Sequence, residues 1–323
     1  MKSNRQIQLW WWVGFCLLFV VGCQGGEEAG GETAVAPRPT IRLAERNWLG
    51  AQLNNAIAKI LLEEELGYHV ELVPVEGTKQ FESLVQGETH ANLEIWPSVW
   101  SEDMQYYIDE TNSVERGNLL GVVGKVGWYV PTYLVAQQPE LLTWEGLLQP
   151  EKASLFAGNE QETPVFLAGS RDWGQYDADI IHNLNLDFEV VFTGSEEALI
   201  NEIRTAYRQQ DPLLFYFWTP HPLLFELELT QVKLPEYSEA CYANLEQDGV
   251  ACDYPPDFLF KAYWPGLQDY APEAYQLLQN IHYSNDDQIF MMGMVEMQGM
   301  LPEEAAQLWL DQNETKWYLW LPR

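Results

Sequence analysis

Histidine, cysteine and positive charge are all in short supply in this sequence of 323 residues. Its five histidines (His69, His90, His182, His221 and His282) include no two at the spacing of zinc ligands, and no H-E-x-x-H occurs. There is no G-x-S-x-G elbow, phosphate-cradling glycine loop or dinucleotide fingerprint. These absences point away from metal-assisted and nucleotide-dependent chemistry, so no metal and no cofactor are expected. Acids are abundant, but sequence alone places no two of them at the separation a glycosidase needs. Lys and Arg number 17 against 48 Asp and Glu, a net charge of −31. That balance lacks the basic footprint of nucleic-acid binding and repels an anionic bilayer surface. It reads as a solvated acidic surface, with weak steering of cationic ligands as a second effect. No period of 20 to 50 residues recurs, which excludes a repeat architecture.

The N-terminus bears on the compartment. Lys2 and Arg5 precede an apolar run, Leu9 to Val21, that is too short for a comfortable membrane span. A basic segment, a short apolar run and a small residue before the cut describe a secretory signal over residues 1–23. Its last four residues, Val20-Val21-Gly22-Cys23, resemble a bacterial lipobox. Cys23 is then the lipidated first residue of an exported, membrane-anchored protein; an ordinary signal with Cys23 incidental is the alternative. Residues 24–39, rich in Gly, Glu, Ala and Pro, cannot form a core and read as a flexible tether. Cys16 leaves with the signal. Cys241 and Cys252 remain, flanking a polar loop with Asn244, Asp248 and Gly249. In an exported protein a disulfide is their natural pairing, and no further Cys or His is near enough for a metal site.

From Thr40 the pattern alternates strand and helix. Thr40 to Ala44, His69 to Val75 and Asn92 to Ile95 read as strands, with helices predicted over Leu49 to Leu66 and Thr78 to Gln86. Leu119 to Val130 is β-branched and punctuated by glycine, and the chain is expected to change lobe there. Strands at Pro164 to Ala168, Phe188 to Phe192 and Leu213 to Phe217 then alternate with helices at Tyr176 to Leu184 and Glu196 to Tyr207. Such alternation argues for an α/β fold with a mostly parallel, helix-covered sheet. From about Asp257 onwards the chain reads as helical, with Ser284 and Pro302 where an N-cap and a first-turn proline belong.

Tryptophan is the residue in excess, with 14 in the chain. Trp48 follows the first strand, Trp96 the third, and Trp218 closes the apolar run LLFYFW before a Thr-Pro-His-Pro turn. Trp128 and Trp173 lie at glycine turns, whereas Trp100, Trp144 and Trp264 sit on helix-like segments and read as structural. Ligands of open α/β sheets sit outside the carboxyl ends of the strands, so indoles at several strand exits converge on one pocket. Several π faces suit a cation without hydrogen-bond donors, such as a quaternary ammonium. Tryptophan also stacks on sugar rings, which keeps an exported carbohydrate-active or sugar-binding protein as an alternative. A solute-sensing receptor domain is a further one.

The segments NWLGAQLNNAIAKILLEEELGY, LEIWPSVW, GKVGWYVPTYL, FYFWTPHPLL and LPEEAAQLWLDQNETKWYLWLP, in this order, resemble the substrate-binding proteins of bacterial ABC importers for glycine betaine, choline and related compatible solutes. The resemblance spans about Thr40 to Pro322. It implies a two-lobed periplasmic-binding-protein fold of type II with discontinuous lobes. The first lobe would hold residues 40–122, the second 123–222, and residues 223–323 would return to the first. It also implies no enzyme activity, and partnership with a membrane permease driven by an ATPase. Carried over by motif, the aromatic box is Trp48, Trp96, Tyr129 (or its neighbour Trp128) and Trp218. Choline-selective relatives carry an aspartate two residues after the first box tryptophan, where this chain has Gly50. The other end of the ligand then falls to backbone N–H groups around Asn47 to Gly50 or to His221, with Trp173, Gln175 and Tyr176 as further walls. On these residues glycine betaine or a similar zwitterion ranks ahead of choline.

Overall fold

The computed structural model describes residues 38–157, 163–173, 175–243 and 249–323. The signal segment, Cys23, the tether up to residue 37, Asn244 and Asp248 lie outside the described residues. Among those described, nine strands build one mixed sheet: β1 (Thr40–Glu45), β2 (His69–Pro74), β3 (Ala91–Ile95), β4 (Glu115–Pro131), β5 (Val165–Ala168), β6 (Glu189–Phe192), β7 (Leu214–Thr219), β8 (Leu229–Val232) and β9 (Pro256–Tyr263). Their spatial order is β2-β1-β3-β9-β4-β7-β5-β6, with β8 beside β4. At one end β2, β1 and β3 run parallel; at the other, β7, β5 and β6 do the same. The antiparallel strands β9 and β4 join these two groups.

The alternating pattern of the sequence therefore corresponds to real βαβ units, and the helices cover the sheet as their apolar spacing requires. Helix Leu49–Ile60 buries Leu53, Ala56 and Ile57 and continues as a wider turn, Leu61–Glu65. Helix Asn285–Gln298 starts at Ser284, whose hydroxyl accepts the Asp287 N–H while the Asp287 carboxylate accepts the Ser284 N–H. That reciprocal box satisfies two of the donors a helix start leaves open. Pro302 stands in the first turn of helix Pro302–Gln312. Cys241 and Cys252 are joined in a disulfide, with 6.5 Å between their Cα atoms.

One segment departs from expectation. The chain after Asp257 is not helical at once: Pro256–Tyr263 is β9, buried on both sides over most of its length. A short apolar run such as Phe258-Leu-Phe-Lys-Ala-Tyr263 suits a buried strand and a buried helix turn alike, so periodicity does not separate them. β4 is also longer than its apolar stretch suggests. Its first part pairs with β9 from Glu115 to Lys125, and its last part with β7 and β8 from Lys125 to Pro131. The β4–β9 register slips between Arg116 and Leu119 and again between Leu119 and Val123. Gly121 lies within the second of these slips at φ +100°, where any side chain would also meet the carbonyl of Tyr283. Such irregularities mark β-bulges, which bend and twist a strand.

Behind the second group of strands, Trp128 Nε1 donates to Asp177 Oδ1 at 2.6 Å and the Tyr254 hydroxyl donates to the same oxygen at 3.2 Å. Burial pushes the Asp177 carboxyl up to about 7 even so. A raised folded-state pKa means the native protein holds this proton more tightly than the unfolded chain. The stability it contributes is complete below about pH 4 and is lost as pH rises to about 7. Asp177→Asn is expected to flatten that decline. A smaller slope remains from Asp257, whose carboxyl burial raises to about 6. Urea melts between pH 4 and pH 7 check this; a variant curve parallel to wild type refutes it.

Candidate functional site

Four segments approach one another at the strand ends. Trp48 follows β1 in extended conformation (φ −132°, ψ 152°) as the residue before helix Leu49–Ile60. Trp96 follows β3 directly, and Trp100 comes four residues later on the same turn. Tyr216 and Trp218 alternate along β7 and so share one face of the sheet. Trp173 belongs to the turn after β5. Together Trp48, Trp96, Val99, Trp100, Trp173, Tyr216 and Trp218 line one cavity. All seven are buried. Trp173 meets Trp218 edge to face at 5.2 Å between ring centroids, and Trp48 at 6.4 Å.

The rings are held by their edges. Trp48 Nε1 donates to Glu94 Oε1 at 2.7 Å, and Trp96 Nε1 donates to the same oxygen at 2.8 Å. Asn54 Nδ2 donates to the other oxygen at 2.5 Å. Trp173 Nε1 donates to Asn47 Oδ1 at 2.7 Å. Hydrogen bonds at the indole edge leave the π faces available to the cavity. Burial raises the pKa of Glu94; the bonds from Trp96, Trp48 and Asn54 act against this, and Glu196 adds to it. The Arg46 guanidinium stacks 4.9 Å from the Trp48 ring centroid and 5.8 Å from that of Trp100. Burial lowers its pKa to about 10, which leaves it charged at neutral pH. Close approach matters as well: a side chain at Gly124 on β4 would run into the Trp96 ring.

Of the residues singled out in the sequence, Trp48, Trp96, Trp173 and Trp218 meet at the cavity. Tyr129 does not. It pairs with Phe215 and packs on Phe215 and Phe217, the face of β7 opposite Tyr216 and Trp218. A shift of one residue along a strand reverses the face, which is the physical reason for this correction. Trp128 shares the Tyr216 register but is fully buried against Phe166 and tied to Asp177. Gly50 presents no wall either, because a Cβ there would come within 3.3 Å of Glu94 and Gln288. Asn47 serves by orienting Trp173. His221 is buried and donates from Nε2 to Glu196 Oε1 at 3.2 Å. The two walls that sequence reasoning missed carry legible signals. Trp100 stands at i+4 from Trp96, and Tyr216 at i−2 from Trp218.

Glu94 serves three buried donors, none of which has another acceptor among the described residues. Glu94→Ala is expected to lower stability by on the order of 3 kcal/mol, about 1 kcal/mol or more for each donor left unpaired. Glu94→Gln, which keeps one oxygen acceptor, is expected to lose less. Denaturant midpoints measure both; a Glu94→Ala protein as stable as wild type removes the orienting role.

Comparison with known proteins adds a frame to this geometry. The family model described as the substrate binding domain of an ABC-type glycine betaine transport system matches residues 39–312. The chain is 25% identical over 297 residues to the trimethylamine N-oxide-binding protein of Pelagibacter ubique, covering 90% of this chain and 93% of that protein. It is 27% identical over 128 residues to a glycine betaine/carnitine transport binding protein of Listeria monocytogenes, covering 40% of this chain and 38% of that protein. Among solved structures, an ABC-transporter choline-binding protein in complex with choline superposes with a TM-score of 0.70 at 21% identity, over 87% of this chain and 92% of the other. A lactococcal protein in its closed conformation with glycine betaine gives 0.68 at 18% identity, over 88% and 100%.

Proposed function

The chain belongs to the family of substrate-binding domains of ABC-type glycine betaine transport systems, and from that membership we propose that its tryptophan-walled cavity holds the trimethylated nitrogen of a small solute. The fold is the two-lobed α/β fold of periplasmic binding proteins. Members of the family work outside the cytoplasm with a membrane permease and its ATPase, and the role proposed here is capture and delivery without chemistry.

A single observation carries the reading. Five indoles and one phenol line one cavity, and the N–H groups of Trp48, Trp96 and Trp173 are all engaged outside it. A methylated ammonium offers no donor and needs none. Each π face attracts it by about 0.5–2 kcal/mol, depending on how far water is excluded. Three or four faces, with the burial of the methyl groups, bring micromolar binding, about −8 kcal/mol, within reach. The sugar-stacking alternative is not favoured, since a pyranose brings hydroxyl groups that need partners and these walls are almost wholly apolar.

The ligand-contacting set in this reading is Trp48, Trp96, Trp100, Trp173, Tyr216 and Trp218, with Glu94 and Asn47 as orienting residues. The lobes divide at the middle of β4, near Val123. The pairing of β8 with Trp128 to Pro131 favours a return to the first lobe with β9 at Pro256, later than residue 223. Cys23 is proposed as a lipid anchor, from the lipobox-like residues before it. Cys23→Ser protein is expected in the soluble fraction after export; retention in the membrane fraction argues against the anchor.

Titration with glycine betaine and choline, followed by tryptophan fluorescence and calorimetry, tests the binding role. Trp218→Ala is expected to abolish measurable binding, and Trp100→Ala to weaken it about two- to thirtyfold, the range of one π contact. Tyr129→Phe is expected to leave affinity unchanged. No binding of any trimethylated ammonium compound overturns the reading.

A further inference from the structure

A betaine carries a carboxylate as well as its methylated nitrogen, and that carboxylate needs donors. Two sources stand beside the cage: the backbone N–H groups between Asn47 and Gly50, and the imidazole of His221. One side chain of the protein engages both. Glu196 Oε2 accepts the Leu49 N–H at 2.5 Å, and Glu196 Oε1 accepts from His221 Nε2 at 3.2 Å. The other imidazole nitrogen, Nδ1, accepts the Leu223 N–H at 3.0 Å. With Nδ1 as acceptor, the ring proton sits on Nε2 and is directed at Glu196, so His221 has none to offer a ligand.

The place Glu196 occupies is one where an anion belongs. Leu49 opens the helix Leu49–Ile60, and the first N–H groups of a helix lack partners within it and carry partial positive charge. Helix starts bind carboxylates and phosphates for this reason. Glu196 reaches Leu49 from 147 residues away in sequence, from the first turn of the helix Glu196–Gln209, and is itself buried. Its neighbour His221 lies against Trp218, 5.6 Å between ring centroids. Glu196 thus links Leu49, the residue after Trp48, to the histidine that packs on Trp218, directly behind two walls of the cavity.

The surroundings offer a second carboxylate no compensation. Glu94, the acid at the N–H edges of Trp48 and Trp96, already interacts unfavourably with Glu196. Arg46 stacks on Trp48 and gives its Nη groups to the carbonyls of Val75, Gly77 and Asp172, leaving only Nε without a partner among the described residues. Its charge is shared among Asp172, Glu76 and Glu94. A ligand carboxylate would enter a buried space that already holds two acids, where like charges repel strongly.

We propose that Glu196 is a resident carboxylate in the position a betaine's own carboxylate would take, so that the site selects carboxylate-free trimethylated nitrogen compounds over zwitterionic betaines. The proposal rests on the ligand class argued above and narrows it, reversing the order of preference that Gly50 and His221 suggest from sequence.

Calorimetry of the exported chain against choline, trimethylamine N-oxide and glycine betaine tests it. At least one of the first two is expected to bind about tenfold or more tighter than glycine betaine. Glu196→Gln, which keeps the shape and removes the charge, is expected to narrow that gap about tenfold, mostly through tighter glycine betaine binding. The wild-type ratio decides independently of whether the variant folds. Glycine betaine binding as tightly as the better of the other two overturns the proposal while leaving the quaternary-ammonium reading intact, and so does an unchanged ratio in folded Glu196→Gln. Failure of all three to bind overturns the parent reading, and this one with it.

Discussion

Glu94 Oε1 accepts a hydrogen bond from the indole of Trp48 and another from the indole of Trp96, so two rings delivered by separate strand ends are oriented by one atom. Burying a carboxylate is unfavourable unless its oxygens are well partnered. Here three donors converge on it, and Asn54 holds the second oxygen. The gain is rigidity. Rings fixed before a ligand arrives need not be ordered by it, and preorganisation of this kind improves affinity without adding a contact. The same acid stands at the N–H edges of two rings, so it fixes their orientation without covering their π faces. Gly124 belongs to this arrangement too, since only a bare backbone lets β4 pass so near the Trp96 ring.

How much of this was legible varies with the kind of signal. Trp48, Trp96 and Trp218 could be placed because strand exits in an α/β sheet share one side, and an indole just after a strand is a visible pattern. Trp100 sits on a helix-like turn and by that pattern alone reads as structural, although four residues from Trp96 puts it on the same side. The motif points to Tyr129, but strand parity puts it on the far face with Phe215 and Phe217. Parity could have chosen Tyr216 instead, two residues before Trp218. β9 is not legible because a six-residue run, Phe258 to Tyr263, apolar except for Lys261, has no period of its own. The acids were the least legible. Glu94 and Glu196 are two among 48 acidic residues, and nothing local separates them from the solvated majority. Only the tertiary fold brings Glu196 to Leu49.

Charge is distributed differently inside and outside. The surface is acidic in bulk, where water and salt screen it. The interior acids are few, buried and individually partnered, and screening does not reach them in the same way. Glu94 and Glu196 therefore act on a ligand through short-range, weakly screened fields, whereas the net charge of −31 acts mainly on encounter. Salt should accordingly weigh more on how fast a cation arrives than on how firmly it is held.

The cavity walls come from chain segments on either side of β4, and the rings are buried. A solute can enter only if those segments separate. β4 and β9 run side by side through the region that links them, with their slips in register grouped around Gly121. Two hydrogen-bonded strands cannot shear independently, so the opening movement has to be torsion of a narrow ribbon and not sliding of one part past the other. The link across which that separation turns is the β4–β9 ribbon, and Gly121, where its register is irregular, lies 21 or more residues in sequence from every wall of the cavity.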